Sequence, residues 1–144
     1  MYILFDIGAT KMRIARASSL DSFDTPRIVD TPQSFESAME LFITIAKELT
    51  GSEKIEALAG GVSGSLSPDR RTIEVSPHLP LWSGKSIPGE LEIKLGAPVF
   101  IENDCTIVGL GEAHAGAGIG KHIMAYITVS TGVGGTRIID GRPD

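Results

Sequence analysis

The sequence predicts an α/β protein built on a sheet in which parallel and antiparallel strands occur together. Short apolar runs with strand periodicity alternate along the chain with segments of helical periodicity, as expected of strand–helix crossovers. The chain also opens on two strand-like runs separated by a short glycine-containing turn, which is typical of an antiparallel hairpin. Glycine clusters separate the strand-like runs, so they mark turns within one folded sheet.

The first elements follow from local patterns. Residues 2–7 form an apolar run that turns through residues 8–10 into residues 11–17, where apolar and basic side chains alternate. A further short strand is predicted at residues 27–30. The hairpin and this strand together predict three neighbouring strands at the start of the chain.

The segment TPQSFESAMELFITIAKELTG predicts a helix that begins at Thr31 or Ser34 and stops at Gly51. One face of this helix is apolar and is expected to pack on the core. The residues of that face are Phe35, Met39, Phe42, Ala46 and Leu49.

The second half of the chain continues the alternation. KIEALAGGVSG predicts a buried strand that runs into a glycine turn, RRTIEVSP predicts another strand, and PHLPLWSGKSIP predicts an irregular loop in which Trp82 packs. Residues 89–95 predict a short helix that ends at Gly96. A strand PVFIEN, a helix over residues 104–115 and a long strand HIMAYITVS follow.

Composition excludes several classes of function. The 144 residues have the length of one ordinary domain, and 42% hydrophobic with 22% charged residues is typical of a globular protein. A net charge of −5 and 13 scattered Lys and Arg residues argue against a nucleic-acid partner. The single Cys105 excludes an internal disulfide framework, and no signal peptide or long apolar span opens the chain. We therefore expect a cytoplasmic protein with no membrane partner.

Glu102, Asn103 and Asp104 lie between a predicted strand and a predicted helix. One interpretation is a helix cap, because Asn and Asp accept hydrogen bonds from the free backbone N–H groups at a helix start and a negative charge suits that end. The other interpretation is an active site. Local pattern alone leaves both interpretations open.

The two ends of the chain share a plan of strand, glycine-containing turn and strand. We match residues 8–11, Gly-Ala-Thr-Lys, with residues 134–137, Gly-Gly-Thr-Arg. If this is a duplication, the chain is half of a two-lobed protein. The predicted division is a first lobe at residues 1–115 and the start of a second lobe, a strand hairpin, at residues 116–144.

Six segments occur in an order that resembles the N-terminal part of the ROK family of sugar kinases: FDIGATKMRIA, GGVSGSLSPD, SPHLPLWSG, VFIENDC, GLGEAHAGAG and ITVSTGVGGTRIIDG. That family contains bacterial glucokinases, fructokinases and N-acetylhexosamine kinases. The resemblance implies an actin/hexokinase-type ATPase fold of two ribonuclease-H-like lobes. It also implies ATP-dependent phosphorylation of a hexose or amino-hexose, with ATP and Mg²⁺ as cofactors.

The resemblance assigns roles around the Asn-Asp pair. It implies that Asn103 binds sugar hydroxyls and that Asp104 is the general base, since a positioned carboxylate can accept the proton of a hydroxyl that attacks a phosphoryl group. Gly64 and Ser65 stand where the family has a sugar-side turn, although a purely structural turn fits them equally well.

The resemblance places the nucleotide on two glycine loops. In the first loop, the expected contacts are the Gly8 backbone, Thr10 and Lys11 on phosphate and Asp6 on hydrated Mg²⁺, and the alternative is a tight hairpin. In the second loop, the matching residues are Thr131 and Gly132.

The sequence departs from the family pattern at several positions. Ala9, Ser130 and Thr136 stand where the family commonly has glycine, and His78 stands where it has asparagine. The first three departures are expected to affect nucleotide binding, and the fourth is expected to affect sugar selectivity. The family's repressors carry a helix-turn-helix before the kinase-like region, whereas this sequence begins on the first strand, so we expect an enzyme.

Two functional alternatives remain from the sequence. The first is the catalytic lobe of an ATP-dependent sugar kinase. The second is a non-catalytic sugar-binding or regulatory module of the same shape, or a truncated product. In either case the 144 residues alone are expected to have little kinase activity and to form a homo-oligomer through the terminal hairpin.

Overall fold

The computed structural model describes residues 1–129 and 133–144, which form three helices and ten strands in three sheets. None of the helices in those residues combines the length and the apolarity needed to cross a bilayer. The elements are β1 (Tyr2–Ile7), β2 (Lys11–Ala17), β3 (Arg27–Asp30), α1 (Phe35–Thr50), β4 (Ala57–Val62), β5 (Ser65–Leu66), β6 (Ile73–Val75), α2 (Ile87–Leu95), β7 (Val99–Asn103), α3 (Asp104–Ala115), β8 (Ile123–Val129), β9 (Val133–Ile139) and β10 (Arg142–Pro143).

The main sheet has five strands in the order β3-β2-β1-β4-β7. Strand β1 pairs antiparallel with β2 and parallel with β4, and β4 pairs parallel with β7, so the predicted mixed sheet is confirmed. Strands β5 and β6 form a separate two-stranded ribbon. Because β1, β4 and β7 are parallel, their carboxyl ends meet at one edge of the sheet, where open α/β sheets commonly bind ligands.

The core lies between one face of the main sheet and helices α1 and α2. Alternate side chains of β1 are buried there, and the rings of Phe5 and Phe42 meet edge to face with centroids 5.2 Å apart. Burial of one such aromatic side chain contributes about 2 kcal/mol to folding. The pattern predicted for α1 is confirmed except at its C-terminal end, where Leu49 is only half-buried and Thr50 is buried instead.

Helix α1 begins after Ser34, whose hydroxyl oxygen accepts a hydrogen bond from the Ser37 N–H at 3.2 Å. The alternative start at Thr31 is therefore wrong. Thr31 is buried for a different reason, because its hydroxyl donates to the Gly8 carbonyl at 2.8 Å. Helix α2 begins at Ile87, two residues before its predicted start.

Trp82 is fully buried in the segment that precedes α2, as predicted. It ends a short 3₁₀ turn at Pro80–Trp82, and its indole N–H donates to the Gln33 carbonyl at 3.0 Å. Its ring also meets that of Phe35 edge to face, with centroids 5.3 Å apart. The tryptophan therefore fastens this segment to the start of α1.

Helix α3 lies between the main sheet and a three-stranded sheet of order β10-β9-β8. A Cβ atom on Gly109 of α3 would lie 2.5 Å from Thr136 Cγ2 on β9, so the helix packs this closely only because position 109 has no side chain. The resulting sandwich joins the β8–β9 hairpin to the main sheet.

The repeated plan of strand, connection and strand is confirmed at the two ends of the chain, but the residue match is wrong. Residues 8–10 connect β1 to β2, whereas residues 134–137 lie inside β9. The antiparallel β8–β9 pairing extends to Val129 and Val133.

Candidate active site

Three parallel strands place acidic side chains in one row near the carboxyl edge of the main sheet. Asp6 of β1 is paired with Gly61 of β4, and Gly61 is paired with Glu102 of β7. Partners in register project to the same face, and neighbouring strands lie about 4.8 Å apart. Asp6 and Glu102 therefore stand on one face with a glycine between them.

Helix α3 starts over the glycine at the middle of this row. A Cβ atom on Gly61 would lie 3.2 Å from the Asp104 Cα, which is closer than side-chain carbons normally approach. Asp104 is the first residue of α3, and its Oδ1 accepts a hydrogen bond from the Cys105 N–H at 2.9 Å. A third carboxylate is thus added to the row by the helix.

Arginines neutralise the two outer carboxylates. Arg13 Nη1 lies 2.8 Å from Asp6 Oδ2, and Arg70 Nε lies 2.8 Å from Glu102 Oε2. Within residues 1–129 and 133–144, Asp104 makes no ion pair. The central carboxylate is therefore the one with no cation already committed to it in the described part of the chain.

Asn103 is the N-cap of α3, so the cap interpretation is confirmed for this residue. Its Oδ1 accepts from the backbone N–H groups of Cys105 at 3.0 Å and Thr106 at 3.4 Å. Its Nδ2 donates to the Gly64 carbonyl at 3.0 Å. The amide therefore ties the turn after β4 to the start of α3, and one of its two N–H groups is left for another acceptor.

Two clefts open beside the junction of β7 and α3. One has a volume of about 450 Å³ and is lined by both Asp6 and Asp104. The other has a volume of about 430 Å³ and is lined by Gly64, Ser65 and Asn103. The first cleft, called the acidic cleft below, thus contains the two predicted carboxylates. The second contains the three residues that the sequence predicts to contact sugar.

Cys105 borders both clefts and is half-buried. Burial, and after it the negative charge of Asp104 and a hydrogen bond with that carboxylate, raises the pKa of the thiol above its usual value. A protonated thiol is a poor nucleophile. The environment of Cys105 therefore does not favour a role as a nucleophile.

The turn between β1 and β2 follows two residues after Asp6, which lines the acidic cleft. The Gly8 N–H donates to the Lys11 carbonyl at 3.0 Å, which closes the turn. The Thr31 N–H donates to the Thr10 carbonyl at 2.9 Å and holds the turn from outside. Lys11 Nζ lies 2.5 Å from Asp30 Oδ1, so its side chain is engaged along the β2–β3 pair.

Thr131 and Gly132, assigned to the second phosphate loop, lie outside the described residues. The sequence interpretation missed Arg13, Arg70 and Thr31. Arg13 faces Asp6 in the β1–β2 register, so a predicted hairpin register was a signal that could have found it. Arg70 contacts a residue 32 positions away in sequence, and Thr31 contacts one 23 positions away. Because the partners are so distant, no local sequence pattern predicts these contacts.

Comparison with known proteins gives consistent matches. The model of the ROK family matches residues 2–144. A glucokinase from Streptomyces coelicolor is 27% identical over 95% of this chain and 43% of its own length. A crystal structure of a ROK family glucokinase from Streptomyces griseus in complex with glucose and AMPPNP superposes with a TM-score of 0.87, at 27% identity, over 99% of this chain and 46% of that chain.

The same fold also occurs in a ROK family transcriptional regulator, a homologue of the E. coli MLC protein. It superposes with a TM-score of 0.82 at 17% identity, over 99% of this chain and 38% of the regulator. At that identity the likeness concerns the fold alone. The chain spans about half the length of the curated relatives it matches.

Proposed function

The chain belongs to the ROK family, and on that premise we propose that it forms the first half of a sugar kinase that transfers a phosphoryl group from ATP to a hydroxyl of a hexose or amino-hexose. The observation that carries this proposal is the central position of Asp104. Its carboxylate stands over Gly61, between two carboxylates that arginines already neutralise.

Asp104 fits the role of general base. A sugar hydroxyl is a weak nucleophile, and a positioned carboxylate that accepts its proton accelerates such a reaction by about 10²- to 10⁴-fold. Asp6 and Glu102 are less suited to this role because each is held by a guanidinium in an ion pair. The cleft that Asp104 lines gives a substrate hydroxyl access to the carboxylate.

Asn103, Gly64 and Ser65 fit the sugar side of the site. Asn103 keeps one N–H for a sugar oxygen after capping α3 and bonding Gly64. Ser65 is exposed in the cleft that these residues line, so its hydroxyl is accessible to a ligand. Hydrogen bonds from such groups orient a polyhydroxy substrate without taking part in the proton transfer.

The β1–β2 turn fits the phosphate side. The Gly8 N–H is used to close the turn, so the remaining N–H groups of the turn and the exposed Thr10 hydroxyl are left to bind phosphate. Lys11, the next residue, is proposed to contact phosphate as well. Thr131 and Gly132 complete the proposed nucleotide site.

The division into a first lobe that ends at residue 115 and a second lobe that begins at residue 116 stays a prediction. We infer a cytoplasmic location because the proposed reaction consumes ATP.

Asp6 fits the role assigned to it toward Mg²⁺. Magnesium commonly keeps several waters and takes only one or two protein carboxylates, and no cluster of three metal-binding side chains occurs in residues 1–129 and 133–144. Arg13 bonds Oδ2 of Asp6, so Oδ1 would be the oxygen left to accept from the water shell of the ion. A Mg²⁺ ion held there would neutralise negative charge on the phosphates of the nucleotide.

A non-catalytic sugar-binding or regulatory role is the second candidate. The fold by itself does not separate the two candidates, because a transcriptional regulator shares it. Such a module binds sugar without consuming ATP. The two candidates therefore differ in ADP release and in whether Asp104 affects turnover.

The test uses a version of the chain joined to the second half found in its relatives. We expect Asp104→Asn and Asp104→Ala to lower kcat by about 10²- to 10⁴-fold and to leave sugar affinity nearly unchanged, because a base acts on the barrier. Asp21→Asn, in an exposed loop, is the matched control. A coupled ADP-release assay and calorimetric sugar titration give the two readings, and near-normal kcat in Asp104→Ala would refute the base assignment.

A further inference from the structure

The ribbon of strands β5 and β6 contacts the junction of β7 and α3 at two separate points. Just before the ribbon, the Gly64 carbonyl accepts a hydrogen bond from Asn103 Nδ2 at 3.0 Å. In the turn at the tip of the ribbon, Arg70 Nε donates to Glu102 Oε2 at 2.8 Å. All four residues line the cleft of about 430 Å³ that is proposed to hold sugar, called the sugar-side cleft here. The ribbon therefore forms one side of that cleft and is fixed to the other side by two contacts.

Glu102 connects Arg70 to the backbone of Asn103. Its Oε2 accepts from Arg70, and its Oε1 accepts from the Asn103 N–H at 2.9 Å. Only 17% of the Glu102 side chain is exposed, so loss of the guanidinium would leave a largely enclosed charge without its partner. A carboxylate in that position is expected to turn toward water, and the Asn103 N–H would then lose its acceptor.

The turn that carries Arg70 is held in shape by its own hydrogen bonds. The Arg70 N–H donates to the Ser67 carbonyl at 2.8 Å, and Ser67 Oγ accepts from the N–H groups of Arg71 at 3.2 Å and Thr72 at 2.9 Å. Arg70 has a φ of 58°, in the left-handed region that residues other than glycine rarely adopt. Backbone strain of this kind persists only where surrounding contacts hold it, and it is concentrated at functional sites.

The next residue, Arg71, makes a similar ion pair at the opposite end of β7. Its Nη1 and Nη2 bond the two carboxylate oxygens of Glu92 at 2.9 and 2.6 Å, and Glu92 Oε1 accepts from the Val99 N–H at 3.2 Å. Val99 and Asn103 are the first and last residues of β7. In the described part of the chain, Arg70 lines the sugar-side cleft and Arg71 does not. The two arginines therefore differ in which end of the strand they hold.

We propose that Arg70 and Glu102 are positioning residues of the sugar site, a role that rests on the function proposed above. Arg70 fixes Glu102, Glu102 fixes the backbone of Asn103, and Asn103 presents its remaining N–H to a sugar oxygen. Neither Arg70 nor Glu102 has to touch the sugar. Their loss should weaken sugar affinity more than it lowers kcat, because proton transfer is assigned to Asp104.

The first test compares the two arginines in the chain joined to the second half of its relatives. Arg70→Met is expected to weaken sugar affinity about tenfold, the effect of one lost hydrogen bond, with a smaller change in kcat. Arg71→Met removes the neighbouring ion pair and is the matched control, expected to keep the wild-type affinity. Arg70→Lys should restore part of the affinity, since an ammonium group still pairs with Glu102. Calorimetric titration with glucose, N-acetylglucosamine and N-acetylmannosamine and steady-state kinetics give the readings.

A second variant separates positioning from stability. Arg70→Gly removes the guanidinium but relieves the left-handed backbone, so it offsets part of the stability that the ion pair contributed. It is expected to show the same loss of sugar affinity as Arg70→Met. Recovery of the affinity in Arg70→Gly would show that only the stability of the turn matters and would overturn the proposal.

A double-mutant cycle tests whether Arg70 acts through Glu102. Glu102→Met, which has no acceptor for the Asn103 N–H, is expected to weaken sugar affinity as Arg70→Met does. The double variant is expected to be no weaker than either single variant, because both changes break one chain of contacts. Losses that multiply in the double variant would instead show that Arg70 acts independently of Glu102, and would overturn the proposal.

Amide hydrogen exchange reads the position of the junction without any sugar. In the joined protein, the amides of Asn103 and of Cys105 and Thr106, which the Asn103 side chain caps, are expected to exchange faster in Arg70→Met than in the wild type or Arg71→Met. Unchanged exchange would overturn the positioning role.

The outcomes distinguish this proposal from the proposed function. Wild-type sugar affinity in Arg70→Met, when circular dichroism shows the variant to be folded, would overturn the positioning role and leave the kinase proposal intact. A wild-type joined protein that binds none of the three sugars would refute the proposed function and, with it, the role of Arg70 in sugar binding.

Discussion

At the scale of single residues, the three carboxylates of the candidate site differ in their bonding partners, and this difference is the basis for assigning them different roles. Asp6 and Glu102 share a row of the sheet, and each is bonded by an arginine, whereas Asp104 enters from the helix above Gly61. Glu102 is the most enclosed ion-pair member, with 17% of its side chain exposed, and its Oε1 accepts from the Asn103 N–H at 2.9 Å. Arg70 therefore acts on Asn103 through Glu102.

Replacement of Arg70 tests this chain of contacts. We expect Arg70→Met to lower the free energy of unfolding by about 1 kcal/mol, because a largely enclosed carboxylate loses its charged partner while solvent still screens the exposed guanidinium side. Release of Glu102 is also expected to loosen the start of α3 and to speed reaction of the Cys105 thiol with a disulfide reagent. Arg70→Lys should restore part of both effects.

Arg27→Met is the matched control for Arg70. Arg27 pairs with Glu48 at 3.0 Å, but half of each side chain is exposed, so its loss should change stability by less than about 0.5 kcal/mol. Urea unfolding and thiol kinetics on the three variants provide the measurements. Equal effects of Arg70→Met and Arg27→Met on Cys105 would show that Glu102 does not position the junction.

At the scale of secondary-structure elements, α3 contains two glycines with different surroundings. Gly109 faces β9 and has no room for a methyl group, whereas a Cβ atom on Gly111 would have no heavy atom within 4 Å. Glycine inside a helix costs about 0.5–1 kcal/mol relative to alanine. Glycine at position 109 therefore permits close packing on β9, although it lowers the helix propensity of α3.

Alanine at each position gives opposite predictions. Gly111→Ala should raise the free energy of unfolding by about 0.5–1 kcal/mol through helix propensity. Gly109→Ala should lower it by about 1–3 kcal/mol, because the methyl group would press on Thr136 of β9. Urea denaturation checks both, and stabilisation by Gly109→Ala would mean that the hairpin does not pack on α3 as described.

The start of α1 gives a prediction about pH. A hydrogen bond from Lys85, followed by backbone and Ser34 hydrogen bonds, lowers the pKa of Glu36 from 4.5 to about 2. A carboxyl with a depressed folded-state pKa adds stability above pH 4.5, and that stability is lost as pH falls from there toward 2. Glu36→Gln should therefore flatten the acid side of the stability profile, whereas Glu40→Gln, whose exposed side chain lies one turn later, should leave its shape unchanged.

Element-level features were readily predictable where the signal was local. The bounds of α3 at residues 104 and 115, and Ser34 as one of two candidate starts of α1, follow from helix periodicity and capping chemistry. The burial of Thr31 and the pairing of Arg70 with Glu102 could not be predicted in this way, because each depends on a contact between segments that are distant in sequence. The register error at residues 134–137 arose because the Gly-Gly-Thr motif fits a turn as well as it fits a strand that packs closely on a helix.

At the scale of the whole molecule, residues 1–129 and 133–144 form a five-stranded sheet, the β5–β6 ribbon and a three-stranded sheet to which β10 contributes only two residues. The likeness to a ROK glucokinase covers 99% of this chain and 46% of that one. Transfer between two substrates requires both to be held in line, and about half of that glucokinase lies outside the matched region.

The 144 residues alone are therefore expected to release little or no ADP with glucose, N-acetylglucosamine or N-acetylmannosamine. The version joined to the relatives' second half is expected to be active with at least one of these sugars. A coupled assay on equal amounts of the two proteins makes the comparison. Turnover by the short chain at an ordinary kinase rate of 1–100 per second would contradict the half-site argument.

The buried tryptophan has a consequence for spectroscopy. Trp82 is the sole tryptophan of the chain, and its indole is enclosed where the segment before α2 meets α1. Its fluorescence should shift to the red when the main sheet and its helices unfold, but it should be insensitive to detachment of the β8–β9 hairpin. An emission-detected melt that lags behind a circular-dichroism melt would thus reveal a hairpin that frays first, without any added label.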